Sequence, residues 1–380
     1  MSGLYFHIPF CKTRCNYCDF YKSTNLSYIP SIVQALKEEM KFRKDFIDDK
    51  NIKTIYFGGG TPSLLSISEI ELLIKEVSLI FQVYPHSEIT LEANPDDLSP
   101  EYLYMLKKIG INRLSIGIQS FSDTDLKLMG RRHNSFQSIN AIKDAQKAGF
   151  DNISIDLIYG IPGMTIQQWQ ENLHTVFDLD IQHLSAYHLT YHEGTLFYDK
   201  LQKGIIQEIE EEESILQFEE LIQCAEKNHF VHYEISNFAC KGFYSQHNSS
   251  YWNQTEYLGL GPSAHSYNHN IRYWNVSDIN QYLESVKQGK NSGEGEKLTL
   301  NDKFNDYIIT GLRRNQGIDI QYIKMEFGNK YFNEVERVTE KNILKGNVIR
   351  EKDRIRIVTA GLFISDQIIS DYLYLEKSQK

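Results

Sequence analysis

Cys11, Cys15 and Cys18 are spaced C-x3-C-x2-C inside "HIPFCKTRCNYCDF", the stretch from His7 to Phe20. Thiolates at that density point first to a metal. A structural zinc site closes with four ligands, and His7 or Asp19 could complete the set. Such sites are commonly built from two separated ligand pairs, whereas here three ligands crowd into eight residues and no second pair follows. A cubane of four irons normally takes four thiolates, so three leave one iron open to a small molecule. Three core cysteines side by side, in a chain that has five, is the weakest account. The crowding favours the open cluster, and zinc is the competing reading.

Something must hold that loop in place. Residues 4 to 190 alternate between short β-branched or aromatic runs and segments of helical spacing. The runs are "LYFHIPF", "TIYFGGG", "EITLEANP", "RLSIGIQSF", "NISIDLIYG" and "HLSAYHLT". Between them, "YIPSIVQALKEEMKF" puts Ile32, Ala35, Leu36 and Met40 on one helical face. Ser68 and Glu71 read as a capping box for the next helix. Pro100 opens a helix that Gly110 closes, and Gly149 closes another. Six strand–helix units in a row imply an α/β fold with parallel strands, either a partial barrel or a doubly wound sheet. Ligands of both gather at the carboxyl ends of the strands. Cys11, Gly58 to Pro62, Glu92, Gln119, Asp156 and Tyr159 all fall there, so one active site at one rim is expected.

The pattern changes after residue 190. An acidic helix is expected over roughly 210 to 228, then a segment rich in aromatics and amides. "NSGEGEK", Asn291 to Lys297, reads as a linker. Beyond it two or three amphipathic helices precede a hairpin turning at Lys352–Asp353, which suggests a small winged-helix-like unit. The expected divisions are 1–195, 196–290 and 298–380.

Bulk properties exclude several classes. The 380 residues carry a net charge of -10 and show no dense basic stripe, "GRRH" from Gly130 to His133 being the nearest to one, so no nucleic-acid partner is expected. Cys224 and Cys240 stand far apart, which is no disulfide framework and suits a reducing cytoplasm. No basic, then apolar, leader opens the chain. No apolar run of about 18 residues occurs, so no transmembrane segment is expected.

The cysteine spacing after one strand and "GGGTP" after the next resemble the radical S-adenosylmethionine (SAM) superfamily. The resemblance implies a partial (β/α)6 barrel and a [4Fe-4S] cluster on Cys11, Cys15 and Cys18. SAM would sit on the open iron, and its reductive cleavage would release a 5′-deoxyadenosyl radical. "LYFHIPFC", "YFGGGTPS", "LEANPDDL", "RLSIGIQSF", "IDLIYGIPGMT" and "YEISNFA" narrow the likeness to the oxygen-independent coproporphyrinogen dehydrogenase group, over nearly the whole chain. Within that group the chain resembles the HemW-type haem chaperones rather than the dehydrogenases of haem synthesis. The dehydrogenases carry another cysteine two residues after the third, where this chain has Phe20. They also have a longer segment before the Tyr-x-His-Ile-Pro stretch, and "HNSSYW" matches an HNxxY motif associated with haem.

Carried over residue by residue, the resemblance gives SAM contacts to Tyr5, Gly59, Gly60, Thr61 and Glu92. Gln119, Arg131 and Asp156 take matching polar positions, with a second SAM-like site in view. His247, Asn248 and Tyr251 become haem contacts, since imidazole is a usual axial ligand. Taken alone, each has a plainer reading. The glycines could form a simple turn, Glu92 could cap a helix, and Asp156 could pair with a basic residue. His247 could be a surface histidine, and Trp252 and Tyr257 could be core. The expected partners are haem and a haem-protein acceptor, plausibly a respiratory one. The reading allows a homodimer and peripheral contact with a membrane.

Overall fold

The computed structural model describes residues 1–375. Six parallel strands alternate with helices: β1 (Ser2–Ile8), α1 (Ile29–Arg43), β2 (Asn51–Gly59), α2 (Ile67–Ile80), β3 (Gln82–Ala93), α3 (Pro100–Lys108) and β4 (Arg113–Gln119). Two helices follow, α4 (Asp123–Leu128) and α5 (Ser135–Lys147), then β5 (Ile153–Tyr159), α6 (Ile166–Asp178) and β6 (His183–His188). β1 to β6 lie side by side in chain order, all parallel, as the strand–helix alternation predicts. This is the partial (β/α)6 barrel.

Residue type decides which face each strand turns where, because side chains alternate. Leu4, Phe6 and Ile8 of β1 are fully buried, with Phe6 stacked on Phe57 of β2 at 4.9 Å. Burial of that kind stabilises by roughly 1.5–3 kcal/mol per large side chain. The alternate residues Gly3, Tyr5 and His7, with Thr54, Tyr56 and Gly58, form a polar and aromatic opposite face. Polar residues on the concave side and apolar ones under the helices make the interior of this half-barrel a place for chemistry.

The second region builds α7 (Leu196–Gln202), α8 (Glu211–Lys227), β7 (Val231–Glu234), β8 (Asn237–Ala239), α9 (Gln246–Trp252), β9 (Tyr257–Leu260), β10 (His265–Tyr267), β11 (Ile271–Trp274), α10 (Ile279–Lys287) and β12 (Glu294–Lys297). Its strands extend the same sheet on both edges, giving the order β12-β11-β10-β9-β1-β2-β3-β4-β5-β6-β8-β7. One apolar core therefore runs from Leu4 to Val286. A buried polar knot ties the region to the barrel. The Glu39 carboxylate on α1 accepts from Arg43 (2.8 Å), the Gly261 amide (2.8 Å), Asn275 (2.7 Å) and the Tyr282 hydroxyl (2.7 Å). Arg43 also lies 4.3 Å above the Tyr273 ring.

The last unit holds α11 (Leu300–Leu312), β13 (Ile318–Asp319), α12 (Ile320–Glu326), α13 (Asn329–Leu344), β14 (Val348–Glu351), β15 (Arg354–Ile357) and α14 (Ser365–Tyr372). Its antiparallel sheet has the order β13-β15-β14 and its own core, from Phe304 to Tyr372. The hairpin turns where expected, with Lys352 at φ 55. Helix, strand, two helices and a hairpin make the winged-helix-like arrangement.

Two local expectations change. The capping box of α2 is Ser66 with Glu69, not Ser68 with Glu71: Ser66 is extended and accepts from the Glu69 amide. Both pairs have the same spacing, and the helix starts two residues earlier. The stretch read as a linker ends in a strand, β12, paired along β11 from Lys297 to Glu294. All four of its residues are exposed. An edge strand of charge and glycine has no apolar face to betray it, and charges there discourage unwanted pairing.

Candidate functional site: a cysteine loop at the barrel mouth

The loop after β1 is tied down on all sides. Cys11 donates its amide to Ser23 (3.0 Å), Asn16 donates to the Met129 carbonyl (2.9 Å), and Phe197 donates to the Asn16 carbonyl (2.8 Å). Lys12 reaches Asp97 after β3 at 2.7 Å, and Lys22 donates to the Cys18 carbonyl at 2.7 Å. All three thiols are free and half-exposed toward one cavity of about 790 Å³. Two are hydrogen-bonded: Thr61 donates to Cys11 Sγ at 3.3 Å, and Arg131 Nη1 to Cys15 Sγ at 3.3 Å. Burial pushes the Cys11 thiol up, and the Thr61 hydrogen bond partly offsets it.

Among the described residues, no three His, Cys, Asp or Glu side chains converge closely enough to hold a single metal ion. Cys11, Cys15 and Cys18 line the same cavity. Neither proposed fourth zinc ligand joins them. His7 lies beneath Gly59 and meets the Tyr5 hydroxyl at 3.1 Å, and Asp19 faces His192.

The glycine loop is built for close approach. A Cβ on Gly60 would stand 2.6 Å from the Phe10 carbonyl oxygen and 2.8 Å from that of Ile8. Gly58 must be bare because Tyr5, Tyr56 and the Glu92 carboxylate already fill the space where its side chain would go. Glu92 accepts from the Tyr56 hydroxyl (2.8 Å) and the Gly59 amide (3.1 Å). Burial pushes its pKa to about 7 despite those bonds. Burial also raises Asp156 to about 6, with Ser185 and nearby arginines pulling the other way. Arg131 Nη2 is spent on Asn94 (2.6 Å) and the Gly117 carbonyl (2.8 Å), but its Nε is buried with no hydrogen-bond partner.

Gly59, Gly60, Thr61, Glu92, Gln119, Arg131 and Asp156 all line the cavity with the three cysteines. Tyr5 sits one layer below, beside the stacked pair Tyr56 and His247. The HNxxY residues are elsewhere. His247 lies on α9, only 1% exposed, and does not line the cavity. Its Nδ1 meets Thr54 Oγ1 at 2.7 Å and its Nε2 meets the Tyr251 hydroxyl at 2.8 Å. Asn248 donates its backbone N–H to the capping Ser245 Oγ at 3.3 Å. Burial holds the His247 pKa down at about 3, so the ring is neutral with both nitrogens engaged. His247 and Tyr251 thus form a polar plug beside Tyr5 and Tyr56. Sequence reasoning missed Asn94, His192, Arg313 and Phe363, which also line the cavity. Only Asn94, in "LEANPDDL", sits in a stretch singled out beforehand.

These residues fit the groups that the thiol spacing implies. Hydrogen-bond donors to two of the thiols suit an iron–sulfur cluster. A buried carboxylate beside a glycine loop suits an ammonium group, and the free Arg131 N–H suits a carboxylate. Residues 5–176 match the radical SAM superfamily model, so the fold and site define a radical SAM protein. The chain is 32% identical to the heme chaperone HemW of Lactococcus lactis over 98% of its length and 97% of that protein's. It is 32% identical to the HemW of Bacillus subtilis, covering 98% and 99%. It belongs to the HemW family. Among solved structures, the coproporphyrinogen III oxidase HemN of Escherichia coli superposes with a TM-score of 0.85. That match covers 98% of this chain and 89% of the other at 24% identity, a likeness of fold.

Proposed function

We propose that this protein is a haem chaperone, which binds haem and passes it to a haem-protein acceptor. It would carry a [4Fe-4S] cluster on Cys11, Cys15 and Cys18, with SAM on the open iron. The observation that carries the reading is end-to-end similarity to proteins named heme chaperone, at 32% identity over 98% of the chain. Phe20 supports it: it lines the cavity two residues after Cys18 and is 68% exposed, an apolar surface where a further thiol would otherwise face the substrate space. When bound, the cluster and SAM supply one-electron reduction of a sulfonium. The chain's own residues would hold SAM: Glu92 would take its ammonium and Arg131 its carboxylate, and the bare Gly59–Thr61 backbone would allow close approach. Gln119 and Asp156 flank that position. We place the protein in the cytoplasm; among the described residues no helix is long and apolar enough to cross a membrane.

The test is anaerobic cluster reconstitution, haem titration, and transfer to an apo acceptor such as a respiratory haem subunit. Haem uptake followed by transfer supports the proposal; a wild-type protein that takes up no haem sinks it. The second reading, coproporphyrinogen dehydrogenation, rests on the shared HemN fold. Protoporphyrinogen formed in good yield with SAM and a reductant would establish that reading instead.

A further inference from the structure

A haem chaperone needs a porphyrin seat, and on α9 both nitrogens of the His247 imidazole are already engaged. His247 would have to leave Thr54, Tyr251 and its stack with Tyr56 at 4.9 Å before it could reach an iron. The cavity at the barrel mouth offers a different imidazole. Its wall away from the glycine loop is formed by Tyr159, Tyr187, Leu189, Phe218, Leu362 and Phe363, with Phe20 on the cysteine side. About 790 Å³ lies within the range of cofactor-sized pockets, and an apolar wall with a few placed polar groups is their usual form.

His192 lines this cavity with half its side chain exposed. Its Nδ1 is 3.6 Å from Asp19 Oδ2 on the cysteine loop. A carboxylate facing the far nitrogen is the usual partner of a metal-binding histidine, because it fixes the ring and raises its basicity. The other nitrogen, Nε2, meets only the Thr190 hydroxyl at 2.8 Å. That hydroxyl is exposed and can rotate away. The other candidates are more committed. His188 Nε2 is bonded to Ser214 at 3.0 Å, and the ring is wedged edge-on against Tyr159 and Phe363. His133 Nε2 lies against the Ile118 carbonyl at 3.1 Å. Propionates have cations within the same cavity. Lys22 lines it, and so does Arg313, whose buried Nε has no hydrogen-bond partner.

Resting on the chaperone reading above, we propose that haem binds in the outer half of this cleft with His192 Nε2 as its axial ligand. Asp19 is the positioning residue behind that ligand. Phe20 and Phe363 offer apolar surface to the macrocycle, while Lys22 and Arg313 meet its carboxylates.

The experiment uses the full-length, cluster-loaded protein, titrated anaerobically with haem and followed by Soret absorption and electron paramagnetic resonance. Iron and sulfide content serve as the check on folding. His192→Ala should weaken haem binding about tenfold or more, within the range for loss of a metal-site partner, and erase the histidine-ligated spectrum. His192→Cys should restore binding with a thiolate-ligated spectrum. His247→Gln and His188→Ala should keep the wild-type spectrum. A His192→Ala protein with unchanged affinity and spectrum overturns the assignment, as does a His192→Cys protein that still shows imidazole ligation. Loss of the spectrum in His247→Gln or His188→Ala also overturns it, while leaving haem binding by the protein intact. A wild-type protein that binds no haem overturns the chaperone reading and the assignment with it.

Discussion

Glu92 should make the SAM-free protein less stable as pH rises, and its replacement by glutamine should remove that penalty. The carboxyl is buried, and burial lifts its pKa from 4.5 to about 7. A carboxyl whose pKa is raised by folding contributes its full stability below the unfolded value. That contribution is lost as pH climbs through the interval up to the folded value. At ~1.4 kcal/mol per pH unit, the gap from 4.5 to about 7 comes to ~3 kcal/mol. Glu92→Gln can still accept from Tyr56, but its amide is set against the Gly59 N–H. That defect costs about 1–3 kcal/mol at every pH, so it shifts the curve without tilting it. Asp156 titrates in both proteins, and because its charge also raises Glu92, part of the difference belongs to the pair. Denaturant unfolding of metal-free protein from pH 4.5 to 8 should show wild type losing ~3 kcal/mol relative to Glu92→Gln. SAM binding should run the other way. An ammonium needs the carboxylate, so affinity for the cluster-loaded wild type should fall about tenfold per pH unit below 7 and stay flat in the variant. A stability difference between the two proteins that does not change with pH would refute the argument, because it would mean that water reaches Glu92 and burial does not set its charge.

Other positions test other parts of the design. Gly60→Ala drives a Cβ into two backbone carbonyls, at 2.6 and 2.8 Å, which cannot rotate aside. It should displace the cysteine loop at a cost of about 1–3 kcal/mol, and the iron bound per chain after reconstitution should drop. Glu39→Ala leaves Arg43 buried beside three orphaned donors. A loss of about 3–5 kcal/mol is expected in denaturant unfolding, and a loss under 1 kcal/mol would mean the knot is solvated. His247→Ala removes the partner of two buried hydroxyls and hollows the stack on Tyr56. It should cost about 2–5 kcal/mol in stability while leaving haem affinity unchanged at temperatures where the variant is folded.

Much of the barrel was legible because its signals are local. Pro100 before a helix, Gly110 and Gly149 after helices, and strand–helix alternation are written in adjacent residues, and the structure has them: Pro100 at the first position of α3, and the two glycines at φ 103 and 88. The cysteine loop, Gly59 to Thr61, Glu92, Arg131 and Asp156 share one cavity because successive parallel strands and the loops after them bring these residues to one side of the sheet. What stayed hidden depends on distant pairing. Asn275 and Tyr282 look like ordinary polar residues until Glu39, more than 200 residues earlier, lies against them. β12 could not be read because its order comes from the backbone of β11 and not from its own side chains. His247 shows the same dependence on distant residues. Its motif was visible, but whether an imidazole nitrogen is free is decided by Thr54, 193 residues away.

The position of the last unit then matters for the site itself. Its Phe363 packs on the barrel core against His188 and Phe218, and Leu362 belongs to the margin of both cores. Arg313 and Asp366, paired at 3.1 Å, also come from this unit and line the cavity. The cysteine loop and strands β1 to β3 supply the cluster side, while β5, β6, α8 and the last unit supply the opposite wall. A half-barrel is open along one side, and a separately cored unit covers that side through Phe363 and through hydrogen bonds of Arg313, Arg314 and Asn315 to the region around β7 and α9. The barrel can hold a cluster in a fixed rim while the opposing wall is set by Leu362 and Phe363. A flat, rigid ligand such as a porphyrin needs that division, because it must enter a slot wide enough for its edge and then be gripped on both faces.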